Sequence, residues 1–357
     1  ESVTERGDRV FPESHKSMDV VDALAKACLK EGVRIETGFE VSEIGTEEDN
    51  GNKIFTVRGR NGGFFMGSRL ILATGGLSYP TTGSTGDGYR FAEVFGHSIK
   101  PCFPSLTALV PKGYKLTDGL VPDGLKGHID RSLPLSDLGK SLCGIQLKNV
   151  GVKLLCNGTI SQEMEGDVDF TDGGIEGPAG FTISRNAVKT ILNGGKVQVV
   201  LDLKAGVDTE EFASRVEKLW NEVRKDPRSA GKPIRQTVKV LLGKLMPWEL
   251  VPAFIKCNPD MISGKKGREV FKVNAAVRSM RSWVFDIEGY VGFERCVITA
   301  GGVSCDEIIP KTLASRKCSG LYICGEVLDI DADTGGYNLH LAFSTGFLAG
   351  QSAALSL

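Results

Sequence analysis

The sequence has almost no net charge, because 43 Lys and Arg residues stand against 44 Asp and Glu residues and give a formal charge of −1 at pH 7. The two signs are mixed along the chain, so it lacks the long-range field that attracts nucleic acid or an anionic membrane. No apolar run approaches the roughly 18 residues of a membrane-spanning helix. We therefore expect a small-molecule substrate, with no nucleic-acid or membrane partner.

The sequence also lacks the cysteine and histidine spacings that are typical of disulfide-bonded or metal-binding folds. The nine cysteines are odd in number and have no C-x-x-C spacing, which argues against a disulfide or zinc framework and favours a reducing compartment. The four histidines, His15, His97, His128 and His340, have no metal-ligand spacing, and we predict no metal site. A cytoplasmic location follows, although the chain begins with Glu1 rather than Met and a preceding targeting segment stays open.

Helix and strand patterns alternate at the beginning of the chain. Residues 17–32 have the spacing of an amphipathic helix, with Ser17 as the N-cap and Gly32 as the stop. Strand patterns follow in residues 33–44, 53–59 and 64–73. The last of them ends in the wholly apolar run Leu70–Ala73, which predicts a central strand covered on both faces.

The middle of the chain has a different character. Short alternating patterns with frequent Gly and Pro predict a small β-barrel or sandwich, and helical periodicity returns in residues 208–225 and 234–255. Strand patterns resume near Val284 and lead to a final helix. We predict an α/β domain that an inserted domain interrupts. The predicted limits are 1–100 and 282–357 for the α/β domain and 101–281 for the insert, with a β-barrel part at about 101–203 and a helical part at about 204–281.

Glycines stand where predicted strands end. The strand pattern LILATGG ends at Gly75 and Gly76, and LYICGE ends at Gly325 and Glu326, shortly before a glycine pair that opens the final helix. Glycine lets a backbone approach a ligand closely, and a helix N-terminus offers free N–H groups to a phosphate or a carbonyl oxygen. Because open α/β sheets bind ligands at the carboxyl ends of their strands, the combination predicts a dinucleotide site.

Five segments carry a resemblance to a known family: DRVFPES, LILATGGLSYPTTGSTGDGYRFAEVFGH, DFTDGGIEGPAGFTIS, VITAGGVSCDEIIPKTLASR and GLYICGEVLDIDADTGGYNLHLAFSTGFLAG. They closely resemble the YhiN/BaiN-like family of FAD-dependent oxidoreductases, in the same order and over nearly the whole chain. The resemblance implies a Rossmann-like FAD-binding domain of the two-dinucleotide-binding flavoprotein type, which carries an inserted β-barrel and a helical subdomain.

The sequence departs from this family in two places. Members begin with a strand, a G-x-G-x-x-G turn and an acidic residue for the adenosine ribose, and about a hundred residues of this kind are absent here. We therefore expect the chain as given to retain FAD weakly or not at all, unless that part is supplied elsewhere. In the F-T-H-x-G-x-S-G-P pattern, Asp172 and Glu176 replace the histidine and the serine.

The resemblance also implies cofactor contacts at matching positions. Val41 corresponds to a residue whose backbone meets the adenine, and Gly325 with Glu326 to the pair at the pyrophosphate and ribityl chain. The segment that passes the dinucleotide is Thr74, Gly75 and Gly76. The other side of the flavin ring is lined by Gly301, Gly302 and Val303. The segment along the isoalloxazine, with helix N–H groups directed to its N1/O2 edge, is Gly335, Gly336, Tyr337, Asn338 and Leu339.

The chemistry implied is hydride transfer through FAD, with NAD(P)H as the donor and an activated C=C or related bond of a small hydrophobic molecule as the acceptor. The candidate proton donors are Tyr79, Asp172 and Glu176. No cysteine is predicted to be catalytic, and the basic stretch at residues 264–281 is interpreted as a solvated strand face. An amine or small-carbonyl oxidase stays open, as does a flavin-fold binding or assembly factor without turnover.

Overall fold

The computed structural model describes residues 1–5, 8–49, 52–116, 125–265 and 268–356. Its helices are α1 Ser17–Lys30, α2 Asp87–Val94, α3 Asp137–Leu142, α4 Gly177–Leu192, α5 Thr209–Lys225, α6 Ile234–Leu242, α7 Val251–Cys257, α8 Val273–Arg281 and α9 Gly335–Leu355. Its strands are β1 Ser2–Glu5, β2 Arg9–Pro12, β3 Val41–Asp49, β4 Asn52–Gly59, β5 Phe64–Gly67, β6 Leu70–Leu72, β7 Ile99–Ser105, β8 Leu109–Pro111, β9 Gln146–Cys156, β10 Thr159–Thr171, β11 Gly174–Glu176, β12 Val197–Asp202, β13 Ile262–Ser263, β14 Val270–Phe271, β15 Trp283–Tyr290, β16 Ile298–Val303 and β17 Leu321–Ile323.

The middle of the chain forms a closed barrel, which confirms the predicted β-barrel. Six of the described strands close it in the order β10-β11-β8-β15-β12-β9. Alternating side chains of β9 and β12 point into a core that the rings of Phe170, Trp283 and Phe285 fill, and α4 contacts all six strands and adds buried side chains to this core. The barrel includes β15, which lies beyond the predicted boundary at residue 281. The domain limits themselves stay a prediction.

A helical layer continues the core of the barrel. Helix α5 begins at Asp208, whose carboxylate accepts hydrogen bonds from the backbone of Glu210 and Glu211 at 2.8 and 3.0 Å. Its buried face carries Phe212, Val216, Trp220 and Val223, at the spacing that one face of a helix requires. Ring contacts such as Phe254 against Trp283, 5.1 Å between centroids, join this layer to the barrel.

A second core lies where the two ends of the chain meet. Strands β6 and β17 pair in parallel, β3, β4 and β5 form an antiparallel sheet, and β7 pairs with β16. Apolar side chains of these strands pack together with α2 and α9. The members include Ile44, Phe55, Phe91, Ile323 and Ala349. The predicted joining of the first hundred residues with the C-terminal segment is therefore seen in the packing.

Three local predictions were wrong. Residues 33–40 contain no strand, because Gly38 has a φ of +69° that interrupts an extended path. In α1 the N-cap is Lys16 rather than Ser17, although Gly32 does follow the helix with a φ of +77°. Strand β6 is not a central strand, since it pairs with β17 alone among the described strands. The run Leu70–Ala73 is also not covered on both faces, since Ile71 is exposed.

The basic stretch at residues 264–281 was predicted as a strand face, and most of it is not. Lys266 and Gly267 lie outside the described residues. Beyond them a two-residue strand, β14, leads into α8, which buries Ala276 and Met280. The apolar residues of α8 have the spacing of one helix face, which favours a helix although Arg278 stands between Ala276 and Met280.

Candidate functional site

The parallel pair β6 and β17 places two glycine-bearing segments at one sheet edge. Leu72 pairs with Ile323, and the backbone N–H of Cys324 donates to the carbonyl of Leu72 at 3.0 Å. Residues 73–76 and 324–326 therefore leave the sheet side by side, at the carboxyl ends of parallel strands. Ligands of open α/β sheets bind at such an edge.

Thr299 of β16 joins the first of these segments to a third strand. Its hydroxyl oxygen accepts hydrogen bonds from the backbone N–H groups of Leu77 and Ser78 at 2.8 and 3.1 Å. The hydroxyl of Ser78 lies 2.9 Å from the same oxygen and 3.3 Å from the sulfur of Cys296. Burial raises the pKa of Cys296 to about 12, so its thiol is neutral and serves as a weak hydrogen-bonding partner in this cluster.

Glu326 joins the second segment to the same strand. Its Oε1 accepts from the backbone N–H of Thr299 at 2.8 Å and from the hydroxyl of Ser78 at 3.2 Å. A Cβ on Gly76 would lie 2.5 Å from the hydroxyl of Thr299 and 2.6 Å from this carboxylate oxygen. Gly76 is thus required by the protein's own packing. The Oε2 oxygen of Glu326 has no hydrogen-bond partner among the described residues and is available to a ligand.

Three other glycines face open space. A Cβ at Gly75, Gly325 or Gly336 would meet no atom within 4 Å. Gly75 and Gly325 have φ values of +76° and +77°, a conformation that favours glycine. Gly75 and Gly325 follow the carboxyl ends of the parallel strands and leave room there for close approach of a planar ring or a dinucleotide chain, so the residues present fit a flavin nucleotide.

The first turn of α9 completes this edge. The side chain of Thr334 accepts from the N–H of Tyr337 at 3.3 Å, which leaves the N–H groups of Gly335 and Gly336 without an acceptor among the described residues. A Cβ on Gly335 would lie 3.5 Å from Val297, which immediately precedes β16. Further along α9, the hydroxyl of Thr345 accepts from the N–H of Gly325 at 3.0 Å. Helix α9 therefore begins beside β16, the strand whose Thr299 is hydrogen-bonded to Ser78 and Glu326.

Some predicted cofactor residues lie elsewhere. Gly301, Gly302 and Val303 are buried in β16, where a Cβ on Gly302 would lie 2.6 Å from the carbonyl oxygen of Val327. Close strand packing accounts for Gly302, and the predicted place of these three residues beside the flavin ring stays a prediction. Val41 is half-buried at the start of β3, and Tyr337 and Leu339 are exposed on α9. For these three residues and for Thr74 and Asn338 the cofactor roles stay predictions.

The three proton-donor candidates surround one arginine. The guanidinium of Arg131 binds both carboxylate oxygens of Asp172, with Nε at 2.9 Å from Oδ2. This hydrogen bond and the charge of Asp172 raise the pKa of Arg131, and Glu176 and Tyr79 also lie close to the guanidinium. Tyr79 has a φ of +52° and donates its backbone N–H to Phe293 at 3.0 Å, so its unusual conformation is held by the loop before β16.

The pKa values of the two carboxyl groups in this cluster, Asp172 and Glu176, are shifted in opposite directions. The hydrogen bond from Arg131 lowers the pKa of Asp172, which is more than half exposed and stays ionised. Burial raises the pKa of Glu176, against smaller opposing effects of a hydrogen bond with Thr171 and of the charge of Arg131. Paired carboxyl groups with pKa values pushed apart are typical of acid–base sites.

Other features of the described residues set limits. Two surface hollows of about 440 and 460 Å³ are lined by residues around Arg278 and around Leu138, and neither includes a predicted site residue. The His, Cys, Asp and Glu side chains within the described ranges form no group that could hold a metal ion. Among the helices that the structure describes, none has the length and apolar character needed to cross a bilayer.

Thr299, Arg131 and Arg185 were not predicted from the sequence. Thr299 lies in the segment VITAGG, which is similar to the segment ILATGG around Thr74, and this similarity was a usable signal. Arg131 and Arg185 carry no local pattern, because their partners Asp172 and Asp331 are 41 and 146 residues away.

Comparison with known proteins agrees with this architecture. A family described as "HI0933-like protein Rossmann domain" matches residues 1–352. The chain is 28% identical over 351 residues to a 3-dehydro-bile acid delta(4,6)-reductase of Clostridium scindens, covering 98% of this chain and 76% of the relative. It is also similar to two ribosomal RNA dihydrouridine synthases. The protein of Haemophilus influenzae is 30% identical (92% of this chain, 70% of the relative), and that of Escherichia coli is 28% identical (94% and 72%).

Proposed function

This chain belongs to the HI0933-like Rossmann-domain family and is an oxidoreductase enzyme, and from that premise we propose that it uses FAD to reduce an activated C=C bond, with NAD(P)H as electron donor. The resemblance to YhiN/BaiN-like oxidoreductases is confirmed by this membership. The observation that carries the proposal is the open space beside Gly75 and Gly325 at the carboxyl ends of the parallel strands, together with the N–H groups of Gly335 and Gly336 at the start of α9, which have no acceptor among the described residues.

The names of the relatives favour the reaction class. A delta(4,6)-reductase and a dihydrouridine synthase both name the saturation of a ring double bond. Such a bond accepts hydride at one carbon and a proton at the other when it is conjugated with a carbonyl group. A site that combines bound flavin with a carboxyl group of raised pKa serves this chemistry.

FAD, when bound, would supply hydride transfer between NAD(P)H and the substrate. The chain's own residues hold and orient it. Gly75 and Gly325 would allow close approach of the cofactor to the backbone, and Oε2 of Glu326 would be available to accept hydrogen bonds from ribityl hydroxyls. The N–H groups of Gly335 and Gly336 would supply positive potential to the part of the ring where negative charge gathers on reduction.

Glu176 is our assignment for the proton donor. Its raised pKa keeps a proton on the carboxyl group at higher pH than an exposed glutamate would, and the ionised Asp172 holds Arg131 in place beside it. Glu176→Gln should slow substrate reduction by 10² to 10⁴ fold, as loss of a general acid does, while reduction of the flavin by NADPH stays unchanged. Asp172→Asn is the matched control, because it removes a carboxylate from the same cluster without removing the proton.

The decisive experiment is the absorbance spectrum of the purified native gene product before and after anaerobic NADPH. We expect a yellow protein that NADPH bleaches, and then reoxidation by a member of a screen of enones and steroid-like acceptors. A colourless protein with no flavin in its acid extract would overturn the proposal. Flavin that NADPH leaves oxidised would favour a binding or assembly factor, and reduction by an amine would favour an oxidase.

Uracil in RNA is a second candidate acceptor, and the two dihydrouridine synthase relatives favour it. The formal charge of −1 offers no general attraction to a polyanion, so we place small molecules first. The same reduced protein, mixed with unmodified ribosomal RNA, decides between them. Reoxidation by the RNA together with new dihydrouridine in a nuclease digest would replace the small-molecule assignment.

A further inference from the structure

The loop that leads into α9, residues 331–334, is held by the barrel-packed helix α4. Nε of Arg185 lies 3.0 Å from Oδ1 and 2.7 Å from Oδ2 of Asp331. One turn earlier on α4, the hydroxyl oxygen of Thr182 lies 3.4 Å from the carbonyl oxygen of Asp333, although its shorter hydrogen bond, at 2.9 Å, is to the carbonyl of Pro178. We refer to the ion pair of Arg185 and Asp331 as the α4 latch.

The same loop is bound to the first turn of α9. Oδ1 of Asn338 accepts from the N–H of Ala332 at 3.0 Å, and its Nδ2 donates to the carbonyl of Ala332 at 2.8 Å. Nδ2 also donates to the carbonyl of Thr334 at 2.9 Å. The loop cannot shift without moving Asn338, so any force on Asp331 is transmitted to the start of the helix.

The two side chains of the α4 latch differ in their exposure to solvent. The side chain of Asp331 is 3% exposed and that of Arg185 is 41% exposed. The hydroxyl of Ser105, at the end of β7, donates to Oδ2 of Asp331 at 3.1 Å. A buried carboxylate keeps its place only while its cation is present, because an unpaired charge in this position is costly.

Arg185 also faces the other acids of the loop. The hydrogen bond that Arg185 donates to Asp331 raises the pKa of Arg185, and the charges of Asp329 and Asp333 add to this effect. Three carboxylates thus precede the helix whose N-terminus provides positive potential. Arg185 is the cation that offsets the charge of Asp331.

We propose that Arg185 is a positioning residue: through the α4 latch it holds the N-terminus of α9 in place and so favours the reduced flavin. The positioning of the loop stands on the contacts above, whereas the effect on reduced flavin rests on the proposed function. The latch links the barrel to the flavin edge, so the inserted part of the chain contributes to the redox properties of the site.

The first test needs no flavin. Hydrogen exchange is followed by mass spectrometry in the purified protein and in Arg185→Met, which removes the charge and keeps a long side chain. We expect the amides of residues 332–338 to exchange at least about tenfold faster in the variant. Arg235→Met is the matched control, because Arg235 is also an exposed partner of a largely buried carboxylate, Glu269 at 3.0 Å.

The second test measures flavin affinity in both redox states. Arg185→Met should weaken binding of reduced flavin about tenfold more than binding of oxidised flavin, a shift of about 30 mV for a two-electron couple. The double variant Arg185→Met with Asp331→Asn removes both charges. It should bring the potential back towards the wild-type value, which a purely structural role would not do.

Three results would overturn the inference. Unchanged exchange in residues 332–338 of Arg185→Met would show that the latch does not hold the loop. An equal shift of the potential in Arg235→Met, or no recovery in the double variant, would show that Arg185 does not act through Asp331. If the wild-type protein binds no flavin under any condition, the proposed function fails, and with it the redox half of the inference, while the exchange data still decide the positioning half.

Discussion

Oε1 of Glu326 accepts a hydrogen bond from the backbone N–H of Thr299 at 2.8 Å, across 27 residues of sequence, and the same oxygen would lie 2.6 Å from a Cβ on Gly76. A single carboxylate therefore joins β16 to both strand tips of the proposed flavin edge. The acid that the sequence suggested for a ligand is also part of the scaffold. Variants of Glu326 must therefore distinguish its structural role from its proposed role in binding flavin.

Glu326→Ala should destabilise the protein by about 1–3 kcal/mol, because the buried N–H of Thr299 loses its acceptor. Glu326→Gln retains an acceptor oxygen and should fold with a smaller loss, while its neutral amide binds flavin more weakly. Denaturant unfolding and flavin titration of both variants provide the check. Wild-type flavin affinity in Glu326→Gln would show that Oε2 does not contact the cofactor.

Gly336→Ala should weaken flavin binding without harming the fold. No atom lies within 4 Å of the added methyl group, and alanine is favoured over glycine in a helix by up to about 1 kcal/mol. A methyl group on the proposed ring surface should reduce flavin affinity about tenfold or more, equivalent to about 1.4 kcal/mol.

Gly346→Ala is the matched control for this substitution, because Gly346 lies in the same helix and also faces open space. It should gain similar stability and keep full flavin affinity. Equal affinities in the two variants, measured by fluorescence titration, would remove Gly336 from the cofactor surface.

The neighbouring glycines Gly75 and Gly76 should respond differently to alanine. At Gly76 the methyl group would overlap Thr299 and Glu326, and overpacking of this kind costs about 1–3 kcal/mol in addition to the broken hydrogen bonds. At Gly75 there is space, and only the φ of +76° opposes alanine, at about 1–2 kcal/mol. Thermal unfolding should rank Gly76→Ala as the less stable, and the reverse order would contradict the packing described here.

Glu176 should make stability depend on pH in a direction unusual for a carboxylate. Its folded-state pKa is raised by burial above the ordinary value of 4.5, so the folded protein binds the proton more tightly than the unfolded chain does. Its contribution is fully present below pH 4.5 and is lost as the pH rises through the folded-state value. Glu176→Gln should therefore be more stable than wild type at pH 7, with the difference shrinking towards pH 4. An equal difference at both pH values in denaturant titrations would show that the group is not titrating in this way.

Features that depend on neighbours in sequence were predictable. Helix α5 follows from its apolar spacing and its Asp208 cap, and the short alternating strands indicated a barrel before its closure was seen. The glycine-bearing tips at Gly75 and Gly325 followed from apolar strand patterns that end in small residues. In each case the signal lies within about ten residues, where backbone preference and the periodicity of burial decide the conformation.

What the amino-acid sequence alone determined is thus most of the helices and strands, the short alternating strands of the barrel region and the two glycine tips. The tertiary structure decided which glycines face open space, as Gly75 does, and which are filled by the protein itself, as Gly76 and Gly302 are. It also decided the pairing of Arg131 with Asp172 and of Arg185 with Asp331. The physical reason is that steric room and charge pairing depend on atoms brought together from distant parts of the chain, and no local pattern records which atoms those are.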